Sequence, residues 1–259
     1  MATPEGSCPS GPTASQISGG RWLDALATNQ SVRNQRRRWG KRVATWDRHN
    51  SSGMHTVASA LLEEVDAGPG VRALDLGCGT GRLAIPLGER GAEVLAIDVS
   101  PAMVHHLEMQ AKVRGVDSIR GVAMPIERIY LPPRSFDLVV SNYALHHLRD
   151  ADKVRLVEAA FGWLRPGGRL VIADMMLGRG ATTRDRAIIA SKVRAMAKKG
   201  LPGYWRILKN AFRFFLRVQE RPLPPEVWSR LLSNAGFVEV QTRSVVAEAG
   251  MVAGRTPAA

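Results

Sequence analysis

The chain of 259 residues is long enough for one domain with a sizeable core, and its 45% hydrophobic and 23% charged residues are typical of a soluble globular protein. Its two cysteines permit neither a disulfide framework nor a cysteine-rich zinc site, which indicates a reducing compartment. The sequence has no apolar run of bilayer length and no apolar leader near residue 1, so a cytoplasmic protein is expected.

The net charge of +13 is concentrated in two segments of the chain. Residues 33–48 hold seven Arg or Lys and one Asp, and residues 184–221 hold eleven Arg or Lys and two acids. The rest of the chain is therefore close to neutral. Such clustering favours a local anionic partner or substrate group over a general role in solubility.

The first predicted region, residues 1–34, is rich in Ser, Pro, Gly and Thr and is expected to be a disordered tail. The basic segment that follows leads to a predicted helix over residues 54–65. Val57, Leu61 and Val65 share one face of this helix, which indicates that it packs on a core.

A glycine loop after a buried strand is the central motif of the sequence. Residues 71–76 form a short apolar run that predicts a parallel strand, and a helical stretch follows the loop. Between them stand Gly77, Gly79 and Gly81, and glycine is needed where backbone turns tightly or lies against a ligand. This Gly-x-Gly-x-Gly spacing differs from the Gly-x-Gly-x-x-Gly of dinucleotide sites and therefore disfavours a dehydrogenase. The carboxylate of Asp75, two residues before the first glycine, suits a ligand with an ammonium group.

An acid also ends the next predicted strand. Residues 93–97 form a short, mostly apolar predicted strand that leads to Asp98, and an acid at this place accepts hydrogen bonds from both ribose hydroxyls of an adenosine ligand. Residues 73–81, followed by Asp98, resemble motif I and the next acidic position of the class I S-adenosylmethionine-dependent methyltransferases. The resemblance implies that S-adenosyl-L-methionine is the cofactor and that Asp75 helps to hold its amino group, directly or through water.

Two more predicted strands, residues 118–124 and 135–142, extend the resemblance. The family often has an acid near the end of the third strand that contacts adenine. Here the run is Gly121-Val-Ala-Met-Pro-Ile-Glu, with no Asp, and Met124 and Ile126 are expected to supply apolar contacts to the ring instead. Asn142 ends the fourth strand and should line the crevice outside the carboxyl ends of the strands. The cofactor-binding residues that the resemblance implies are Asp75, Gly77, Cys78, Gly79, Gly81, Asp98, Val99, Met124, Ile126 and Asn142.

The Leu-His-His-Leu run that follows Tyr143, expected to open a helix, and the Leu-Arg-Pro-Gly-Gly turn before the fifth strand are also similar to this family. The resemblance is close over about residues 70–175 and weaker over residues 225–254. It implies an α/β fold: a doubly wound, seven-stranded, mostly parallel sheet of the Rossmann-like methyltransferase type, with an antiparallel last strand. The cofactor-binding domain is therefore expected over residues 35–177 and 225–254.

The segment between these two parts, residues 178–224, is expected to form a helical lid over the acceptor. Its second half carries basic side chains on one helical face, namely Arg206, Lys209, Arg213 and Arg217. This pattern fits an amphipathic cap helix with a solvated face, and it also fits a surface for an anionic lipid or an acidic substrate group. RNA is a third candidate because basic and aromatic residues interleave, although no RNA-binding module is recognisable.

Residues 44–55 partly resemble the segment before motif I in quinone C-methyltransferases of the ubiquinone and menaquinone type. This favours a hydrophobic small-molecule acceptor, lipid-like, quinone or isoprenoid, with an anionic group or at the surface of an anionic membrane. The alternatives are RNA and a polar or aromatic secondary metabolite. The residues expected to bind the acceptor are Trp39, Trp46, Asp47, Tyr204, Arg206 and Phe212.

The chemistry that the resemblance implies needs little from the protein beyond alignment and exclusion of water, because the methyl donor is already an activated sulfonium. A base is required only if the acceptor must lose a proton, and histidine titrates near neutrality. The candidate catalytic residues are His146, His147 and Tyr143, and no metal triad is visible in the sequence. A protein that binds the cofactor without catalysis is a further alternative.

Overall fold

A computed structural model describes residues 32–37, 39–40, 52–178, 183–197 and 221–259. Residues 32–37 and 39–40 are helical. The helices that follow are α1 Ser52–Glu64, α2 Ala84–Glu89, α3 Pro101–Val113, α4 Asp150–Trp163, α5 Thr183–Ala197 and α6 Pro225–Asn234. The strands are β1 Arg72–Leu76, β2 Glu93–Asp98, β3 Ile119–Ala123, β4 Phe136–Asn142, β5 Leu164–Met175, β6 Val238–Val246 and β7 Ala249–Arg255.

The strands form one seven-stranded sheet in the order β3-β2-β1-β4-β5-β7-β6. The neighbouring pairs from β3 to β5 are parallel, and β7 runs antiparallel to both β5 and β6. The predicted mostly parallel sheet with an antiparallel last strand is confirmed. The chain moves outward from β1 to β3 and then crosses back to β4, so the direction of winding reverses between β1 and β4.

Helices cover both faces of the sheet, which gives the doubly wound arrangement. On one face, α1, α2 and α3 contribute Leu61, Leu87 and Leu107 to a buried apolar cluster with the sheet. On the other face, α4 and α6 contribute Leu156 and Trp228 to a second cluster. The strands between them are apolar on both faces, as expected when parallel strands are buried on both sides.

The helix after β4 begins later than the sequence pattern predicts. The predicted helix opens at Tyr143, whereas the structure has a short 3₁₀ turn over Leu145–His147 and starts α4 at Asp150. Tyr143 adopts a positive φ of 51°, and Leu148 is extended, so neither residue has helical backbone. The amide of Tyr143 instead donates to the carbonyl of Ala173, which continues the β4–β5 ladder by one step.

The two predicted flanking regions are described only in part. Residues 1–31 of the predicted tail lie outside the described residues, and residues 32–34 belong to the helical segment 32–37. Helix α5 lies in the predicted lid, whose residues 198–220 are outside the described part. The acceptor residues predicted at Trp46, Asp47, Tyr204, Arg206 and Phe212 all fall outside it as well. None of the helices that the structure describes is both long and apolar enough to cross a membrane.

Candidate cofactor and acceptor site

A cavity opens at the carboxyl ends of β1, β2 and β4, where the winding of the sheet reverses. Open α/β sheets bind their ligands at this kind of switch point. The glycine loop, the end of β2 and the turn after β4 supply most of its wall, and the helical segment before residue 41 covers it with Gln35 and Trp39. We refer to it as the main cavity.

The first glycine of the loop is required by close packing as well as by backbone conformation. Gly77 has φ +79°, and a Cβ built on it would lie 2.2 Å from the Cβ of Ala144. Its amide and that of Cys78 both donate to the carbonyl of Ile97, at 2.7 and 3.0 Å. These bonds hold the start of the loop against the end of β2 and keep the backbone of Gly77 in the cavity wall.

The other two glycines have different surroundings. Gly79 has φ +53° and lines the main cavity. Gly81 has φ +96° and packs against the core, because a Cβ there would meet Leu107 at 2.3 Å and Ile85 at 2.9 Å. Gly81 lines a neighbouring cavity and is not among the described residues around the main one. Its requirement for glycine is therefore explained by packing, and a contact with the cofactor stays a prediction.

Asp98 is fixed by two backbone donors at the rim of the main cavity. The amide of Gly79 donates to Oδ2 at 3.1 Å, and the amide of Ser100 donates to Oδ1 at 2.8 Å. Burial raises the pKa of this carboxyl, while the two amides act in the opposite direction. Each oxygen keeps a second lone pair for another donor. The carboxyl group is therefore oriented to accept a pair of hydroxyl groups from a ligand.

Asp75 lies beneath the loop and is only 1% exposed. Burial raises its pKa to about 7, the amide of Ala84 lowers it, and the charge of Asp98 raises it further. Among the described residues, nothing donates a hydrogen bond to Oδ2 of Asp75 or to Oδ1 of Asn142, although both atoms are buried. Buried acceptors without donors are rare in folded proteins. Two such atoms on the adjacent strands β1 and β4 fit a ligand that brings an ammonium group.

The main cavity brings together most of the predicted cofactor residues. Those that line it are Gly77, Gly79, Asp98, Val99, Ile126 and Asn142. Of the predicted catalytic and acceptor residues, Tyr143, His147 and Trp39 line it too. The predicted residues that the structure places elsewhere are Asp75, Cys78, Gly81, Met124 and His146. Cys78 is buried in the core, and Met124 is 38% exposed at the surface.

His146 is buried behind the cavity wall in a pair with Asp174. Nδ1 of His146 lies 2.5 Å from Oδ1 of Asp174, and the amide of His146 donates to Oδ2 at 2.8 Å. Burial alone would raise the pKa of Asp174, but the charge and the hydrogen bond of His146 hold it below its ordinary value. The carbonyl of His146 also accepts from the amide of Arg221, which ties the end of the predicted lid to this point.

A row of aromatic rings connects this pair to the cavity. The ring centroids of His146 and His147 are 4.0 Å apart, and those of His147 and Trp39 are 5.4 Å apart. Tyr143 meets His146 edge-on at 6.3 Å. Burial raises the pKa of Tyr143, and the charges of Glu248 and Asp174 raise it further, so its hydroxyl remains a hydrogen-bond donor at neutral pH.

Several lining residues have no counterpart in the sequence-based prediction, among them Gln35, Met54, Thr80, Arg82, Met103, Glu127, Ala144 and Leu148. Thr80 stands inside the glycine motif and Arg82 directly follows it, so the motif itself could have predicted that both residues lie near the cavity. Met54, Met103 and Leu148 come from three separate parts of the chain, and no local sequence pattern marks them. Within the described part of the chain, no three His, Cys, Asp or Glu side chains are grouped so that they could hold a metal ion.

Comparison with known proteins gives matches over the part of the chain that contains the glycine loop and Asp98. Residues 73–168 match the family model described as a methyltransferase domain. The chain is similar to a ubiquinone biosynthesis O-methyltransferase of Xanthomonas campestris pv. campestris, with 33% identity over 47% of this chain and 52% of that one. It is also similar to phosphoethanolamine N-methyltransferase 1 of Zea mays, with 29% identity over 64% of this chain and 32% of that one. The chain thus spans about half or less of the length of these relatives.

Among solved structures, the fold is similar to that of the Burkholderia thailandensis 1,6-didemethyltoxoflavin-N1-methyltransferase with bound 1,6-didemethyltoxoflavin and S-adenosylhomocysteine. The TM-score is 0.58 at 19% sequence identity, and the match covers 95% of this chain and 94% of that one. This likeness concerns the fold alone. The glycine loop and the acid after β2 both lie within residues 73–168, so this part of the chain is a methyltransferase domain.

Proposed function

We propose that the protein binds S-adenosyl-L-methionine in the main cavity and transfers its methyl group to a hydrophobic small molecule. One observation carries this proposal. A single cavity joins the loop of Gly77 and Gly79 and the carboxyl of Asp98 to the rings of His147 and Trp39. This shared lining supports a cofactor end and an acceptor end within one continuous space.

The cofactor end fits an adenosine with an amino acid attached. Asp98, held by two amides, is oriented for the two ribose hydroxyls. Ile126 and Met103 add apolar surface beside it for the adenine ring. The buried oxygens of Asp75 and Asn142 provide acceptors for the ammonium group. In this arrangement Asp75 contacts the ammonium through a water or after a small shift, because it lies below the cavity wall and not in it.

The bound cofactor supplies a methyl group on a sulfonium, which an acceptor atom displaces in line. The residues of the chain then have three tasks: to align the acceptor, to exclude water and, where needed, to take a proton. His147 is the side chain in the wall with a titratable nitrogen suited to that last task. The pair of Asp174 and His146 stands behind His147 and fixes the turn that carries it. Tyr143, whose hydroxyl stays protonated, donates a hydrogen bond to the acceptor and does not act as its base.

The acceptor end is apolar. Trp39, Met54, Ala144 and Leu148 contribute apolar side chains to the wall of the cavity. Such a wall stabilises a hydrophobic acceptor by removing its surface from water, at about 25 cal/mol for each Å² that is buried. The ubiquinone and toxoflavin enzymes among the similar proteins act, by their names, on small molecules, which supports this class over RNA. A quinone, isoprenoid or lipid-like acceptor, and contact with an anionic membrane, are the narrower form of the proposal.

Methyl transfer from radiolabelled S-adenosylmethionine tests the function directly. The protein is incubated with a quinone precursor, with a lipid extract in anionic liposomes, and with bulk RNA, and the label is followed into each fraction. We expect label in the hydrophobic small-molecule fraction and none in RNA. The matched control is Asp98→Ala, which should lose the signal because it loses the ribose contact. Label in RNA alone would contradict the proposed acceptor class, and binding of the cofactor without transfer to any class would contradict the enzyme assignment.

A further inference from the structure

A lysine ammonium group is buried at the start of helix α4. The side chain of Lys153 is 0% exposed. Moving an ammonium group from water into a protein interior is costly, and a paired buried charge is often no more stabilising than apolar residues of similar volume. Lys153 also stands in the first turn of α4, where the helix dipole disfavours a cation. Neither the stability of the core nor that of the helix therefore explains a lysine at this position.

The Nζ atom of Lys153 contacts the chain segment that leads into helix α6. It donates hydrogen bonds to the carbonyl of Arg221 and to Oδ1 of Asp150, the latter at 3.2 Å. Arg221 in turn donates its own amide to the carbonyl of His146 at 2.7 Å. Both backbone polar groups of Arg221 are thus bound, the carbonyl to α4 and the amide to the turn after β4.

The contact from Arg221 completes a three-point attachment of His146. The amide and the ring Nδ1 of His146 contact the two carboxylate oxygens of Asp174, at 2.8 and 2.5 Å, and its carbonyl accepts from Arg221. This carbonyl and the amide of His147 belong to one planar peptide unit. His147 lies in the wall of the main cavity. The bond from Arg221 therefore acts on the peptide plane that sets the direction of the His147 side chain.

We propose that Lys153 is a positioning residue, which acts through Arg221 and His146 to fix the orientation of the His147 ring in the cavity. A lysine suits this task because its three N–H donors can hold a carbonyl and a carboxylate at once. Lys153 itself is not among the described residues that line the cavity. The inference rests on the proposed function, because the orientation of His147 affects a reaction only if an acceptor is methylated at this end of the cavity.

Lys153→Met tests this role, because methionine has a similar length and removes the buried charge together with its hydrogen bonds. Hydrogen exchange of the full chain, resolved by NMR, measures the amides next to the contact. We expect the amides of Arg221 and His147 to exchange at least about tenfold faster than in the wild type. The amide of Leu76 in β1 should change less than about twofold, since β2 and β4 hold that strand on both sides.

Methyl transfer shows whether the contact matters for the reaction. The assay uses labelled S-adenosylmethionine and the quinone precursor or lipid extract that accepts label from the wild-type protein. For Lys153→Met we expect kcat for each folded molecule to fall roughly 10- to 100-fold, the scale for a misplaced group at a reacting centre. The affinity for S-adenosylhomocysteine, measured by calorimetry, should change less than about twofold, because the cofactor end keeps all of its contacts. The binding stoichiometry gives the folded fraction.

Two further variants serve as controls. Lys112→Met removes an exposed lysine from the last turn of α3 and should change neither the exchange rates nor kcat. Asp150→Asn keeps an oxygen acceptor for Lys153 and removes only the charge. Because the side chain of Asp150 is 42% exposed, this variant should fold even if Lys153→Met does not. It should show the same pattern with a smaller loss of kcat, about two- to tenfold.

The outcomes separate this role from a purely structural one. An unchanged kcat for each folded molecule in both Lys153→Met and Asp150→Asn, whatever the exchange rates show, would overturn the role of Lys153 and leave the proposed function intact. Equally faster exchange at Leu76 and at Arg221 would also overturn it, since the lysine would then stabilise the whole fold. If the wild-type protein transfers label to no acceptor, the proposed function fails, and the positioning role fails with it.

Discussion

Replacement of Asp75 by Asn should change how the stability of the ligand-free protein depends on pH. In the folded chain, burial is the main reason that the pKa of Asp75 rises from 3.8 to about 7. One of its oxygens is buried without a donor among the described residues, so ionisation in place is unfavourable. The free energy of unfolding should therefore respond to the protonation of this single group.

The sign and size follow from the linkage between folding and proton binding. Between pH 3.8 and about 7 the folded protein holds a proton on Asp75 that the unfolded chain has released. The free energy of unfolding thus falls as pH rises through this window, by about 1.4 kcal/mol for each pH unit. Over the whole window the loss amounts to about 4 kcal/mol, and it is complete above pH 7. The Asp75→Asn variant has no proton to lose at this position, so this part of the pH dependence should disappear.

Urea denaturation of the wild-type and Asp75→Asn proteins at half-unit steps from pH 4.5 to 8 measures the effect. The difference between the two free energies of unfolding cancels the titration of groups that do not interact with Asp75. We expect the free energy of unfolding of the variant to rise relative to that of the wild type up to about pH 7, and the difference to stay constant above that pH. The amide group of the new Asn side chain is a buried donor that needs a partner, which lowers the stability of the variant by about 1–3 kcal/mol at every pH. A difference that stays flat over this pH range would refute the account of Asp75.

Two further predictions concern the turn after β4 and its neighbours. Gly77→Ala should prevent native closure of the loop or destabilise the protein by about 2–4 kcal/mol, because the new Cβ would lie 2.2 Å from that of Ala144. Thermal unfolding with and without S-adenosylhomocysteine measures the effect. Unchanged stability together with unchanged binding would contradict this prediction. Asp174→Asn should lower the free energy of unfolding at pH 7 by about 1.5–3 kcal/mol, because His146 loses its anionic partner. Urea denaturation measures this difference. A variant as stable as the wild type would contradict a stabilising contact between Asp174 and His146.

The sequence was sufficient to predict the sheet and the strand-to-helix loop, because both depend on local patterns. A short apolar run followed by spaced glycines has few structural solutions, and Asp98 follows the next strand at a fixed distance. The strand order and the antiparallel last strand came from resemblance to a known family. The predicted start of α4 was wrong. The amide of Tyr143 is hydrogen-bonded to the carbonyl of Ala173 in β5, and the sequence does not reveal this contact.

The remaining features of the site depend on tertiary contacts that local patterns do not carry. Glycine is equally required at Gly77 and Gly81, yet the first lies in the cavity wall and the second packs on Leu107. His146 and His147 are adjacent in the chain, but the first is buried against Asp174 and the second faces the cavity. Only the packing of β5 beside β4 brings Asp174 to His146.

The most direct test of the central claim is calorimetric titration of S-adenosylhomocysteine into the wild-type protein and into Asp98→Ala. The account predicts binding of one equivalent by the wild type, and a loss of about 1.5–3 kcal/mol in the variant, because the ribose hydroxyls lose a charged acceptor. In affinity this is a loss of about 10- to 150-fold. Equal affinities of the two proteins, or no binding by the wild type, would contradict the claim that this cavity holds the methyl donor.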